Sequence, residues 1–325
     1  MSDDDIAIRG LATVWGEREM PASELAALQG CSIEVVERAV GDARVMVSDG
    51  RTPTELGVAA AKRCMERCGV TGPELDAIVC MALCAWDAGS PVLRYQRELG
   101  ATNVSAGYAL KTDCTTPLAA LRMASALVRA EPQIRRVLVV AGATYGHQGW
   151  TRSMLPLRED QYNLVYSDGG FAAIVERGPG VALLGYGGAG LGDLTDHLPT
   201  LMEGTTEQIQ RLPSEVQVLH QCRDIHRQAL RSALAAAGIT IGQIDHVLCS
   251  REAVAQAERS ILRQLGIEPE RLFRLPGWPT HTAVADQGIA LEALLAGVGK
   301  PGQHVLVLAR TYGLMQCAVM RLGAR

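Results

Sequence analysis

The stretch VLVVAGATYG, residues 137–146, returns as VLVLARTYG at residues 305–313, so that Val137 and Val305 stand 168 positions apart. Both runs suit strands buried on two faces. A second echo lies upstream of each: LDAIVC at 75–80 is matched by IDHVLC at 244–249, with Asp76 and Asp245 separated by 169 positions. Buried strands resemble one another, but two matches in the same order at nearly one offset point to a duplicated unit. Strand-like and helix-like segments alternate around them, which is the pattern of an α/β protein.

The surrounding segments fill in this alternation. IAIRGLATVWG (6–16), GGFAAIVERG (169–178) and LMQCAVMRL (314–322) read as strands. TPTELGVAAAKRCMERCG (52–69) reads as a capped helix closed by Gly69, and TTPLAALRMASALVRAE (115–131) as a helix with Pro117 in its first turn. In the second half SEVQVLHQCRDIHRQALRSALAAAGI (214–239) reads as one long helix with His220 and His226 facing outward, and VADQGIALEALLAGVG (284–299) as another. The glycine-rich stretch at 177–186 reads as a junction, dividing the chain into halves 1–177 and 178–325.

Composition narrows the function classes. The 325 residues are 48% hydrophobic and 20% charged, ordinary values for a globular protein. A formal charge of -4 with no Lys/Arg-rich run argues against a nucleic-acid partner. No apolar run approaches the roughly 20 residues that span a bilayer, so no membrane partner is expected. The nine cysteines are odd in number and lack CxxC pairs, which fits buried small hydrophobes in a reducing cytoplasm and gives no metal site.

The chemistry gathers at two corresponding positions. KTDCTTPLAAL (111–121) is a strand-to-helix elbow with Cys114 at the start of the helix. The unpaired N–H groups and dipole of a helix N-terminus favour a thiolate and can stabilise an oxyanion. A cysteine there is more often structural than catalytic, but the repeat gives this one a partner. The position 168 after Cys114 is Thr282, next to His281. If the halves pack about a pseudo-twofold axis, Cys114 and His281 converge at the centre. Asp286 lies five residues beyond His281, close enough to orient the imidazole or simply to serve the helix dipole.

At these residues the chain resembles the ketoacyl-ACP synthase III branch of the thiolase superfamily. KTDCTTPLAALRMASAL looks like its nucleophile segment, and LVYSDGGFAAIVERG like its GDGAAAVVL strand. IDHVLCSREAVAQAERSILRQLGI looks like its HQAN-bearing segment, WPTHTAVADQGIAL like its GNTSAAS segment, and ARTYGLMQCAVM like its closing hairpin. The resemblance implies a thiolase-like α/β fold of two duplicated halves in five layers, αβαβα. The family's HQAN histidine falls on Ser250 and its asparagine on Ala253, while the asparagine of GNTSAAS falls on or next to His281. The family's CoA-binding tryptophan and arginine have no match in ELAALQGCSIEVVERAVGDARV (24–45). These departures resemble a divergent subgroup of antibiotic pathways that carries a nucleophile, a His and an Asp.

The resemblance implies an acyltransferase that forms an acyl-thioester on Cys114, with His281 and Asp286 as its catalytic partners. Acyl carrier protein or CoA is the donor, a small molecule with an O, N or S nucleophile is the acceptor, and no cofactor is required. A homodimer is implied, with the loop at Trp86 and Asp87 near its interface. His197 is a candidate second site residue or a solvated loop histidine, and Arg251 binds a substrate carboxylate or carrier phosphate, or pairs locally. Trp86, Trp150 and Trp278 are pocket walls or core fillers. The alternatives are decarboxylating Claisen condensation for starter loading, and a non-catalytic partner subunit.

Overall fold

The structure, a computed structural model, describes residues 5–81, 87, 89–145, 157, 165–192, 222–250, 255–274, 277–311 and 313–323. The strands are β1 (Ile6–Trp15), β2 (Arg18–Met20), β3 (Val45–Val47), β4 (Ala77–Met81), β5 (Ala106–Leu110), β6 (Arg136–Ala143), β7 (Gly169–Arg177), β8 (Val181–Gly190), β9 (Ile244–Leu248), β10 (His304–Thr311) and β11 (Leu314–Arg321). The helices are α1 (Ala22–Gln29), α2 (Ile33–Val40), α3 (Pro53–Cys68), α4 (Pro91–Glu98), α5 (Thr116–Ala130), α6 (Arg223–Ala237), α7 (Ala255–Leu265) and α8 (Asp286–Ala296).

Nine strands form one sheet in the order β5-β4-β6-β7-β1-β8-β11-β10-β9, and β2 pairs with β3 in a separate ribbon. The order reads as a mirror about the β1–β8 seam. β6 runs parallel to β4 and antiparallel to β7; on the other side β10 runs parallel to β9 and antiparallel to β11. Beyond β4 lies β5, and beyond β9 a single parallel bridge joins Val247 to Leu272. The echoed aspartates do the same work in each half. Asp76 accepts from the N–H of Arg136, the first residue of β6, at 2.9 Å, and Asp245 from that of His304, the first residue of β10, at 2.8 Å.

Period-2 alternation sorts the echoed strands into layers. Val137, Val139 and Ala141 face a central core, as do Val305, Val307 and Ala309. The intervening Leu138 and Val140 pack outward with residues of α3 and α4, and Leu306 and Leu308 with residues of α6 and α7. The central core is filled by α5 and α8, through Leu118, Leu121, Ile289 and Leu294 among others. The two halves of the sheet thus flank the central helices, with α3 and α4 outside one half and α6 and α7 outside the other: the five-layer arrangement. α8 sits close against β7, since a Cβ on Gly288 would lie 2.2 Å from the Phe171 ring. α3 carries the expected start and stop: Thr52 and Glu55 form a capping box, and Gly69 closes the helix at φ 63°.

Two expectations are corrected, and a third falls partly outside the described residues. The junction read at 177–186 is only the turn at 178–180, and Val181–Gly190 is a full strand. Gly185 and Gly187 are there for contact rather than for turning: a Cβ on Gly187 would meet the Ala229 carbonyl oxygen of α6 at 2.0 Å. The division into 1–177 and 178–325, cut in this turn, stands as the proposed domain organisation. The described helix α6 starts at Arg223, whereas a start at 214 falls outside the described residues. His226 does not face outward. It is 1% exposed, on the same face as Ala229, Leu230 and Ala233, and burial, with Arg310 nearby, pushes its pKa down to about 4. The described cysteines form no disulfide, and Cys64, Cys80 and Cys317 are buried. Among the described residues no helix is long and apolar enough to cross a membrane.

Candidate active site

Cys114 lies in a 3₁₀ turn, Asp113–Thr115, that leads directly into α5. The local sequence D-C-T-T builds this turn. The Thr115 hydroxyl donates to the Thr112 carbonyl and the Thr116 hydroxyl to the Asp113 carbonyl, both at 2.6 Å. The Thr112 N–H returns a bond to the Thr116 hydroxyl at 2.9 Å. Asp113 has a positive φ of 48°, a conformation that costs a non-glycine residue energy and that these bonds hold in place. The turn sets the half-buried thiol at the N-terminal end of α5, and the β10–β11 hairpin packs against it.

His281 is positioned by extended backbone rather than by a helix. Residues 279–281 run between two other segments, with parallel bridges from Pro279 to Arg44 and from His281 to Tyr166. The Thr280 N–H donates to the Arg44 carbonyl at 2.8 Å, and the Ser167 N–H to the His281 carbonyl at 2.9 Å. The Ser167 and Thr280 hydroxyls are bonded at 2.7 Å. α8 then begins at Asp286, its first residue.

These supports bring three of the expected site residues together. His281 Nε2 is 3.2 Å from Cys114 Sγ, and His281 Nδ1 is 2.5 Å from Asp286 Oδ2. The other carboxylate oxygen accepts from the Thr282 N–H at 2.7 Å and the Thr282 hydroxyl at 2.5 Å. His281 and Asp286 are buried. Burial alone would lower the imidazole's pKa, but the Asp286 carboxylate and the Cys114 sulfur outweigh it, so His281 sits well above its ordinary value. Burial likewise pushes the Asp286 carboxyl up, and the imidazole and the two Thr282 donors more than reverse that, leaving it below the usual carboxylate range. The arrangement holds a thiol, a base that touches it, and a carboxylate that fixes the base's orientation.

The other expectations fare differently. His197 and Arg251, like Trp86, Trp150, His147 and His220, lie outside the described residues. Ser250 is buried, and its hydroxyl accepts from the Gln287 amide at 2.7 Å. Trp278 both lines a cleft with Cys249, Phe273 and Asp286 and packs edge-on against Phe273 at 5.7 Å. Sequence reading missed Tyr166, Ser167, Thr282 and Gln287. The SDGG stretch carried a signal, since two polar residues before a buried strand demand partners. Asp168 finds them in the N–H groups of Tyr145, at 2.9 Å, and Ser48, at 2.8 Å.

The fold is a thiolase-like one, with the Cys114, His281 and Asp286 contacts at its centre. The family model for 3-oxoacyl-[acyl-carrier-protein] synthase III matches residues 108–187, which include the turn at Cys114. A β-ketoacyl-[acyl-carrier-protein] synthase III of Rhodospirillum rubrum is 28% identical over 287 residues, 82% of this chain and 83% of its own. Among solved structures, ChlB3, described as an acyltransferase, superposes with a TM-score of 0.82 at 22% identity, covering 98% of each chain. The 3-oxoacyl-[acyl-carrier-protein] synthase III of Aquifex aeolicus gives 0.80 at 18% identity, over 97% of this chain and 99% of that one. Over residues 108–187, and in its fold, the chain is similar to the ketoacyl-ACP synthase III proteins.

Proposed function

We propose that the protein is an acyltransferase that carries its acyl group on Cys114. The observation that supports this most is the contact chain from Cys114 Sγ through His281 to Asp286. In the first half-reaction the Cys114 thiolate attacks the carbonyl of an acyl thioester on acyl carrier protein or CoA. The carbon–sulfur bond to the pantetheine arm breaks, and the departing thiolate takes the proton from the His281 imidazolium. In the second, neutral His281 accepts the proton of an O–H, N–H or S–H acceptor as it attacks the acyl-enzyme, and Cys114 leaves as thiolate. Asp286 stabilises the imidazolium in both steps without itself being protonated. The description of ChlB3 as an acyltransferase agrees with this reading.

Incubation with octanoyl-CoA or octanoyl-carrier protein, followed by intact mass, tests it. One octanoyl group on the wild type and none on Cys114→Ala is expected. Equal acylation of the variant overturns the mechanism. The second reading, decarboxylating condensation, is favoured by the curated relatives, which are named ketoacyl-ACP synthase III. Release of CO2 from malonyl-carrier protein by the octanoylated enzyme would select it. A homodimer is proposed with either reading.

A further inference from the structure

Beside His281 stands an aromatic pair that neither half-reaction uses. The Tyr166 ring centroid is 5.3 Å from that of His281, with the planes tilted by 44°. Tyr166 is itself stacked on Tyr145 at 4.4 Å and 28°. Both tyrosines are buried, at 4% and 3% exposure, so the ring contact is shielded from water. The pair is bound to the same backbone that holds the histidine. Tyr166 is the bridge partner of His281, and the Tyr145 hydroxyl donates to the Thr282 carbonyl at 3.4 Å. The face of an aromatic ring is negative, and it attracts a cation lying within about 6 Å of its centroid, most strongly where water is excluded.

We infer that Tyr166 is a positioning residue whose ring holds the charged imidazolium of His281 against Cys114. This rests on the reading of Cys114 and His281 as the working pair and extends it to the group that keeps the histidine charged. Among the described residues the ionisable groups facing His281 are few. Asp286 comes from the start of α8, Cys114 from the turn before α5, and Tyr166 from the segment before β7. Tyr145 stands one ring further back, and the Asp168 carboxylate is taken by the backbone of Tyr145 and Ser48. Arg44, whose backbone supports Thr280, sends its guanidinium instead to the Gly277 carbonyl at 2.6 Å. Among the described residues, Tyr166 is therefore the aromatic ring placed against the imidazole.

The test is alkylation of Cys114 against pH, using iodoacetate and iodoacetamide in parallel. Anionic iodoacetate gains from a neighbouring imidazolium and neutral iodoacetamide does not, so the rate ratio falls as His281 loses its proton. Tyr166→Leu is expected to move that fall about one pH unit lower. Tyr166→Phe, which keeps the ring, is expected to restore the wild-type position. An equal shift in both variants, or none in Tyr166→Leu, overturns the inference. Should Tyr166→Leu fail to fold, phenylalanine analogues bearing two and then three ring fluorines at position 166 keep the shape while weakening the face. A stepwise downward shift supports the inference, and an unchanged profile overturns it. No acyl donor enters this assay, so a failed transfer reading would show separately, as normal alkylation without acyl-enzyme.

Discussion

The segments leading into α5 and α8 bring Cys114 Sγ and His281 Nε2 to 3.2 Å, yet they are built from different materials. The α5 start is held by neutral hydroxyls within five residues, Thr112, Thr115 and Thr116. The α8 start is held by a buried charge pair and by backbone from two distant segments, Arg44 and Tyr166–Ser167. A nucleophile needs only to be presented, which a local turn can do. A base must keep its charge and its aim while proton-transfer partners change, and that takes a fixed carboxylate and a rigid frame.

Removing either side outright should have the largest effect. Cys114→Ala and His281→Ala are each expected to lower acyl-transfer kcat/KM by about 10⁴-fold, measured as thiol release from the acyl donor. If the two helix starts act as one unit, the double variant will be no worse than either single one. Additive losses would separate them. Asp286→Asn keeps the shape but leaves a poorer partner for the imidazole, and a loss of about 10²- to 10⁴-fold in kcat is expected.

Stability against pH sharpens the contrast, because only the α8 side carries buried charge. His281 is raised, so its contribution is complete below the free imidazole value of about 6.5 and drains as pH climbs through its folded value. Asp286 is lowered, so its contribution is present above the free carboxyl value of about 3.9 and drains as pH falls through its folded value. Both are complete between those limits. Urea unfolding should therefore show the largest gap between wild type and His281→Gln near about pH 5.5, narrowing at alkaline pH. A gap that does not change with pH would mean the pair is not charged in the folded state.

The hydroxyls should give the smallest effects. Thr282→Val removes one donor to a charged carboxylate and is expected to cost about 2 kcal/mol in urea unfolding. Thr116→Val removes a neutral lock and should cost about 1 kcal/mol, with little pH dependence. Equal, pH-independent costs would erase the distinction between the two sides.

Much of this was legible in the sequence where the cause is local or periodic. The echoes at 137 and 305 located the paired strands, and D-C-T-T announced the elbow. The offset arithmetic brought His281 to Cys114, although the histidine proved to lie five residues ahead of its helix rather than at its start. What stayed hidden depends on neighbours far away in the chain. The glycines of VALLGYGGAG look like a turn until α6 is laid against them, and His226 looks exposed until the sheet beneath α6 is known. Tyr166 looks like any residue before a strand, since its partner is 115 positions away at His281.

The place of β1 has a bearing on how the protein is made. The first strand of the chain lies between β7 and β8 and so stays unpaired until residues beyond 169 have been synthesised. Cys114 leaves the ribosome well before His281 exists, and its base arrives only with the segment that also completes the central layer. A nascent or half-folded molecule thus carries a thiol with no one to take its proton. The contact between Cys114 and His281 therefore requires both halves of the central layer, and it reports that they have come together.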